Sequence, residues 1–182
     1  MRILLHICCA NCAIYPVKVL REQEQNHQLA GFFSNYNIHP YQEFSKRLET
    51  TREYAEKVKL PVTFDEEYRL EEFLAAVAQN PENRCEHCYR SRLSATAKEA
   101  HRQGFEGFTT TLLYSRYQKH QEIVAFGQQL AEEYGLTFHD EDFRCGWNEG
   151  IRISKQMGLY RQQYCGCIYS EKDRYAPKNP AG

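Results

Sequence analysis

The chain has 182 residues, 24 acidic and 23 basic side chains, and a formal net charge of −1. That length implies one domain with an ordinary buried core, and its near-neutral field is not that of a general nucleic-acid binder. No stretch approaches the ~20 apolar residues of a membrane span. The ILLHI run at the N-terminus leads straight into cysteines rather than into a longer apolar leader with a cleavage site, so a cytoplasmic setting is expected.

Arg2–His6 reads as a short apolar strand. The chain then turns through Cys8–Cys12 and becomes helical around Ile14–Gln25. Leu29–Phe33 is a second strand, ended by Ser34-Asn35-Tyr36-Asn37. Pro40 fits the first turn of a helix to about Val58, with Tyr41, Phe44, Leu48, Tyr54 and Val58 among its apolar positions. Pro61–Asp65 is a third strand, and a short helix covers about Leu70–Ala78. Pro81-Glu82-Asn83 turns into a helix that begins at the Cys85–Cys88 pair and runs to about Arg102. Phe108–Leu113 is a Thr-rich strand. Tyr117–Tyr134 is a helix stopped by Gly135. Leu136–His139 is a fifth strand, and Asn148–Met157 is helical, with Gly158 as its stop.

This alternation predicts an α/β fold, a mainly parallel sheet flanked by helices, formed by residues 1–175 with a loose tail at 176–182. In such sheets ligands bind beyond the carboxyl ends of the strands. Cys8–Cys12, Thr109–Ser115 and Asp140–Cys145 each follow a strand, so a metal site is expected at that edge.

Seven of the eight cysteines fall into three clusters: Cys8, Cys9 and Cys12; Cys85 and Cys88; Cys165 and Cys167. Cys145 stands alone and reads as an ordinary buried thiol. A disulfide framework needs an oxidising compartment, so metal or redox chemistry is the better reading. Cys9-x-x-Cys12 with Cys85-x-x-Cys88 would make a zinc site but leave three thiols over. Seven clustered thiolates suit an iron–sulfur cluster with thiolates to spare for a second metal. Thiol–disulfide exchange is the third alternative.

The densest positive segment, Arg84–Arg102, contains Arg84, Arg90, Arg92, Lys98 and Arg102, with His87 and His101, against Glu86 and Glu99. It is either a solvated helix face or a local phosphate-binding surface. Among 13 tyrosines, Tyr89, Tyr114, Tyr117, Tyr160 and Tyr164 lie beside cysteines or basic residues, as packing residues or as bases' stacking partners.

Five ordered segments, LLHICCANC, CEHCY, FTTTLLYSRYQKH, DFRCGWNEG and GLYRQQYCGCIYS, together resemble the QueH-type epoxyqueuosine reductases. The resemblance runs from Leu4 to about Ser170, with Asn11 standing where the family pattern leads one to expect Pro. It implies a Rossmann-like, nucleotide α-hydrolase-like fold. It also implies removal of the epoxide oxygen of epoxyqueuosine in a tRNA anticodon, the last step of queuosine biosynthesis. The implied cofactors are a [4Fe–4S] cluster and a separate iron, and the implied partners are tRNA and an electron donor. On this reading Cys8, Cys9, Cys85 and Cys88 would hold the cluster, and Cys12, Cys165 and Cys167 the second iron.

Other residues gain candidate roles from their positions beyond the fourth and fifth strands and just before Cys165. Tyr114 is a candidate catalytic group, and Ser115 and Gln118 would meet a bound nucleoside, unless they form an ordinary turn and helix cap. Asp142 and Arg144 would bind the substrate's diol or move protons, or bridge each other. Arg161 and Gln162 would approach phosphate or base, or else are exposed helix polarity. His6, at the end of a buried strand, reads as a satisfied core histidine. The rival functions are an iron–sulfur tRNA thiolation enzyme, against which the missing SGGxDS phosphate loop argues, and a non-catalytic zinc module.

Overall fold

The computed structural model describes residues 1–23 and 28–177. The predicted helix end at Gln25 and the tail from 178 to 182, with Lys178, lie outside the described residues. Five strands form one all-parallel sheet in the order β3-β2-β1-β4-β5. They are β1 (Arg2–His6), β2 (Gln28–Phe33), β3 (Val62–Phe64), β4 (Gly107–Thr110) and β5 (Thr137–Phe138). Seven helices flank the sheet: α1 (Ala10–Glu22), α2 (Tyr41–Lys57), α3 (Leu70–Val77), α4 (Arg84–Arg102), α5 (His120–Tyr134), α6 (Trp147–Gln156) and α7 (Ile168–Tyr175). Helix α1 packs on α2 and α6, and α4 packs on α5 and β1.

The centre of the sheet follows from its sequence. A parallel strand covered on both faces needs a continuous apolar run, and Ile3, Leu4 and Leu5 of β1 are fully buried. Leu4 lies opposite Ala30 of β2 and Phe108 of β4. The chain winds outward from β1 through β2 to β3, then crosses back to place β4 on the other side of β1. This reversal opens a crevice beyond the carboxyl ends of β1 and β4, the place where open α/β sheets bind ligands.

Three boundaries differ from the sequence expectation for physical reasons. Helix α1 begins at Ala10, with Cys9 as its extended N-cap, so Cys12 is in the first helical turn rather than in a loop. The Thr-rich strand stops at Thr110, where that hydroxyl accepts from Leu112 N at 3.1 Å and turns residues Thr111–Tyr114 into a 3-10 helix. Helix α5 begins at His120 rather than Tyr117; Ser115 Oγ accepts from Tyr117 N, at 3.3 Å, inside the preceding turn and does not cap the helix. Gly135 ends α5 in the left-handed conformation, φ 65°, as its position predicts. Helix α7 lacks an apolar periodicity and buries none of its residues, which is why the sequence did not announce it.

Candidate metal centre and nucleoside cavity

Cys8, Cys9 and Cys12 sit at the crevice, their sulfurs within 4.8 Å of one another. Thr111, just past β4, fixes the first of them from across the switch point. Its hydroxyl accepts from Cys8 N at 3.0 Å and donates to Cys8 Sγ at 3.2 Å. Hydrogen bonding with Cys12 and Cys9 holds the Cys8 thiol well below its ordinary range, while contacts with Cys8 and Cys9 and burial push Cys12 up. Gln162 donates to Cys9 Sγ at 2.8 Å, and Asn11 orients it by donating to its Oε1 at 2.7 Å. Asn11 also donates to Tyr160 O at 2.8 Å and accepts from Ser154 Oγ. A proline at this position would have none of these bonds, so Asn11 ties α1 to α6 and to the C-terminal segment.

That segment, residues 159–167, crosses the carboxyl edge between α6 and α7. Arg47 of α2 grips it, donating to Tyr164 O at 2.9 Å and to Cys165 O at 2.7 Å. Arg47 is balanced by Glu43 at 2.6 Å, the pair being only 2% and 8% exposed. Gly166, between the last two cysteines, has φ 154°, a conformation that glycine alone adopts readily. Its N–H donates to Ser170 Oγ and its carbonyl accepts from His39 N at 2.8 Å. The Cys165–Cys167 pair is therefore held rather than flexible.

Cys85 and Cys88, in the first turns of α4, face that segment. Together with Cys165 and Cys167 they line a cavity of about 180 Å³. Among the described residues these four thiols are not gathered as tightly as the first trio. Burial pushes the Cys88 thiol up to about 12, opposed by the Arg92 guanidinium, which donates to its sulfur at 2.9 Å. Arg92 is 3% exposed. Among the described residues no carboxylate lies within 4.0 Å of it. A buried cation without an anion is costly, so this donor set is matched to thiolates, the form in which cysteine binds metal. All eight cysteines are free of disulfides, and the seven clustered thiols fit a resident metal group by charge and number.

A larger cavity of about 550 Å³ opens beside the first. Cys8, Cys12 and Cys165 are among its lining residues, and it shares Cys165, Arg92, Tyr117, Gln118 and Ser170 with the smaller one. Its volume lies in the usual range for a small-molecule site.

Comparison with known proteins now bears on these cysteines. The family profile described as Epoxyqueuosine reductase QueH matches residues 3–173. The Epoxyqueuosine reductase QueH of Dehalococcoides mccartyi is 38% identical over 99% of this chain and 98% of its own length. That of Thermotoga maritima is 37% identical over 94% of this chain and 91% of its own. The chain belongs to the QueH family. Membership places it among the oxidoreductases.

Of the other residues singled out in this QueH chain, Tyr114, Ser115, Gln118 and Arg161 line the larger cavity. Tyr114 is buried, and its hydroxyl donates to Trp147 O at 2.9 Å. Burial pushes its phenol up. Gln118 accepts from Tyr89 Oη at 2.8 Å and donates to Cys165 Sγ at 3.3 Å. Asp142 and Arg144 line neither cavity. They bridge each other at 2.7 and 2.8 Å, and the hydrogen bonds from Arg144 hold the Asp142 carboxyl down at about 2. His6 is a core histidine, paired with Thr110 Oγ1 at 2.9 Å and Ser34 O at 3.3 Å; burial lowers it to about 4, so it is neutral.

One expectation is corrected. Cys145 is exposed rather than buried, on the 3-10 turn before α6, with Tyr15 Oη at 3.5 Å. In the Arg84–Arg102 stretch, Arg90, Lys98 and Arg102 are exposed, as on a solvated helix face. Arg84 pairs with Asp173, Arg90 with Glu86 and Arg102 with Glu99, while Arg92 points inward. The i,i+3 and i,i+4 spacing lets Arg90 and Arg102 find partners within the helix. Arg92 carried a readable signal, its place four residues after Cys88 on one helix face. Arg47 carried a similar one, in its i,i+4 spacing from Glu43 among Phe44, Leu48 and Thr51.

Proposed function

We propose that this chain reduces epoxyqueuosine to queuosine in tRNA, taking up two electrons and two protons and releasing the epoxide oxygen as water. The observation that supports this most is that six of the seven clustered cysteines line two adjoining cavities, one of them nucleoside-sized, in a QueH-family chain, with Cys9 beside Cys8 and Cys12. Cys85, Cys88, Cys165 and Cys167 would hold a [4Fe–4S] cluster, since four thiols spread around one cavity match its ligand number. Cys8, Cys9 and Cys12, gathered within 4.8 Å, would hold the separate iron. This division replaces the one expected from the sequence. When bound, these groups supply low-potential electrons and a Lewis-acidic position for the epoxide oxygen.

The chain's own residues bind and orient. Arg92 holds positive charge beside Cys88 and stabilises the anionic thiolates. Gln118 and Ser115 offer amide and hydroxyl groups along the wall where a nucleoside would lie. Tyr114 lends its ring to the wall while its hydroxyl stays with Trp147 O. Asp142, held ionised by Arg144 outside both cavities, is not a proton donor at neutral pH on this reading. An external electron donor completes the stoichiometry.

Anaerobically reconstituted protein should be brown and hold about five irons per chain, four in the cluster and one beside it. Changing Cys165 and Cys167 to Ser, or Cys85 and Cys88 to Ser, should bleach the visible absorption. Changing Cys8 and Cys12 to Ser should keep that absorption, remove about one iron, and abolish conversion of epoxyqueuosine in tRNA. A Cys165/Cys167 variant that keeps the full cluster spectrum would restore the earlier division. A colourless protein carrying one zinc would end the cluster reading altogether.

A further inference from the structure

The mouth of the larger cavity carries aromatic and cationic side chains for which the chemistry at its cysteines has no use. Tyr117 leaves 84% of its surface in water. Its ring meets Trp147 edge-on, with centroids 5.7 Å apart and an interplanar angle of 77°. Trp147 is in turn stacked on buried Tyr114 at 5.2 Å, and the Arg116 guanidinium lies 5.8 Å from the Trp147 ring. The platform is thus braced beneath and open above. A ring left this wet adds little burial energy to the fold. Arg161 and Arg174 line the same cavity. Among the described residues, Arg116, Arg161 and Arg174 have no carboxylate within 4.0 Å. The carboxylate at this mouth, Asp173, is already paired with Arg84 at 2.7 Å.

We propose that this mouth clamps an unpaired nucleotide adjoining the one that enters the cavity, Tyr117 stacking on its base and Arg161 and Arg174 binding phosphates of the same single-stranded RNA loop. The inference rests on the reading of the chain as a tRNA-modifying enzyme and adds the surface that holds the loop. A duplex keeps its base faces inside its own stack and offers nothing to an exposed ring. A loop offers unstacked bases, and aromatic stacking on them tolerates any sequence because every base has a π-face. Unpaired guanidinium groups lining the same cavity supply the matching charge for the backbone. On α4, by contrast, Arg84, Arg90 and Arg102 are paired and Arg92 is buried, which among its Lys and Arg side chains leaves only Lys98 exposed without an ion pair among the described residues.

The test uses metal-loaded protein and a fluorescent anticodon stem–loop RNA without the epoxide, with affinity read by anisotropy at several salt concentrations. Tyr117→Ala should weaken binding about 5- to 150-fold, which corresponds to roughly 1–3 kcal/mol for one stacked base at 1.4 kcal/mol per tenfold. Tyr117→Trp should restore binding, and the melting temperature of both variants should match that of the parent. Changing Arg161 and Arg174 to Ala should lower the slope of log affinity against log salt by roughly 1.4, about 0.7 per single-strand phosphate contact. Changing Arg90 and Lys98 to Ala should leave affinity and slope unchanged. If the Tyr117 and Arg161/Arg174 variants bind like the parent, or the Arg90/Lys98 variant loses affinity, the clamp is wrong. Parent turnover of epoxyqueuosine tRNA would then still uphold the proposed function. Parent protein that binds RNA through Tyr117 but leaves the epoxide intact would instead uphold the clamp and sink that function.

Discussion

Arg92 shows how one side chain links folding to chemistry. Its Nε donates to Cys88 O at 3.1 Å, locking the guanidinium into the first turns of α4, and its second nitrogen reaches Cys88 Sγ. The charge is buried on the metal side of the helix, where only thiolates can balance it. Hydrogen bonds to charged groups contribute roughly 1.5–3 kcal/mol. Replacing Arg92 by Gln keeps a donor and removes the charge. The variant should retain iron on the order of ten- to a hundredfold less tightly, the usual effect of losing a group that supports metal ligands. Arg92→Lys should recover part of the loss. Iron content after reconstitution and anaerobic desalting checks both. Equal iron in all three proteins would mean that the charge is balanced in some other way.

At the scale of elements, the decisive object is the segment between α6 and α7. It has little regular structure of its own and is placed by three others: Asn11 of α1, the His39 turn, and Arg47 of α2. The Arg47–Glu43 pair is buried, and removing one partner of such a pair costs about 3–5 kcal/mol because the other is left uncompensated. Arg47→Ala should therefore lower stability in urea by about that amount. It should also release the backbone carbonyls of Tyr164 and Cys165. Metal-free variant protein should then react faster with a thiol reagent at Cys165 and Cys167, while Cys8 and Cys12 keep the parent rate. Uniformly faster labelling would instead indicate general unfolding.

Over the whole molecule, the seven thiols come from β1's exit, from α4 and from the C-terminal segment, three parts that the sheet alone does not fasten together. Metal held at these thiols would staple the segment to both helix layers, and ligand-site formation contributes directly to stability. Removing the metal anaerobically should lower the melting temperature. Amide exchange should rise most in residues 159–175 and in the first turn of α4, with β1 and β4 still protected. Exchange that rises equally in β1 would mean that the central strands also depend on the metal.

The order of strands and helices was legible because it depends on local pattern. An apolar run such as ILLHI has to be buried on both faces, and a Gly135 after a helical period has to end the helix. The thiol clusters were legible as well, because thiolate chemistry belongs to the residue type and the spacing of Cys85 and Cys88 to one helix face. Helix α7 and the Thr110 break were not, since the first has no apolar stripe and the second depends on a single hydroxyl. Nor could the sequence say which thiols meet. Cys165 lies 77 residues from Cys88 along the chain, and they share a cavity because the crossover behind β1 and the Arg47 grip bring their segments together. Charge behaved in the same way. The sequence counted the cations of α4, but only the tertiary structure decided that its arginines are paired or buried while Lys98, Arg116, Arg161 and Arg174 stay open. The availability of a charge is a property of its neighbours in space, and those neighbours are fixed by packing rather than by composition.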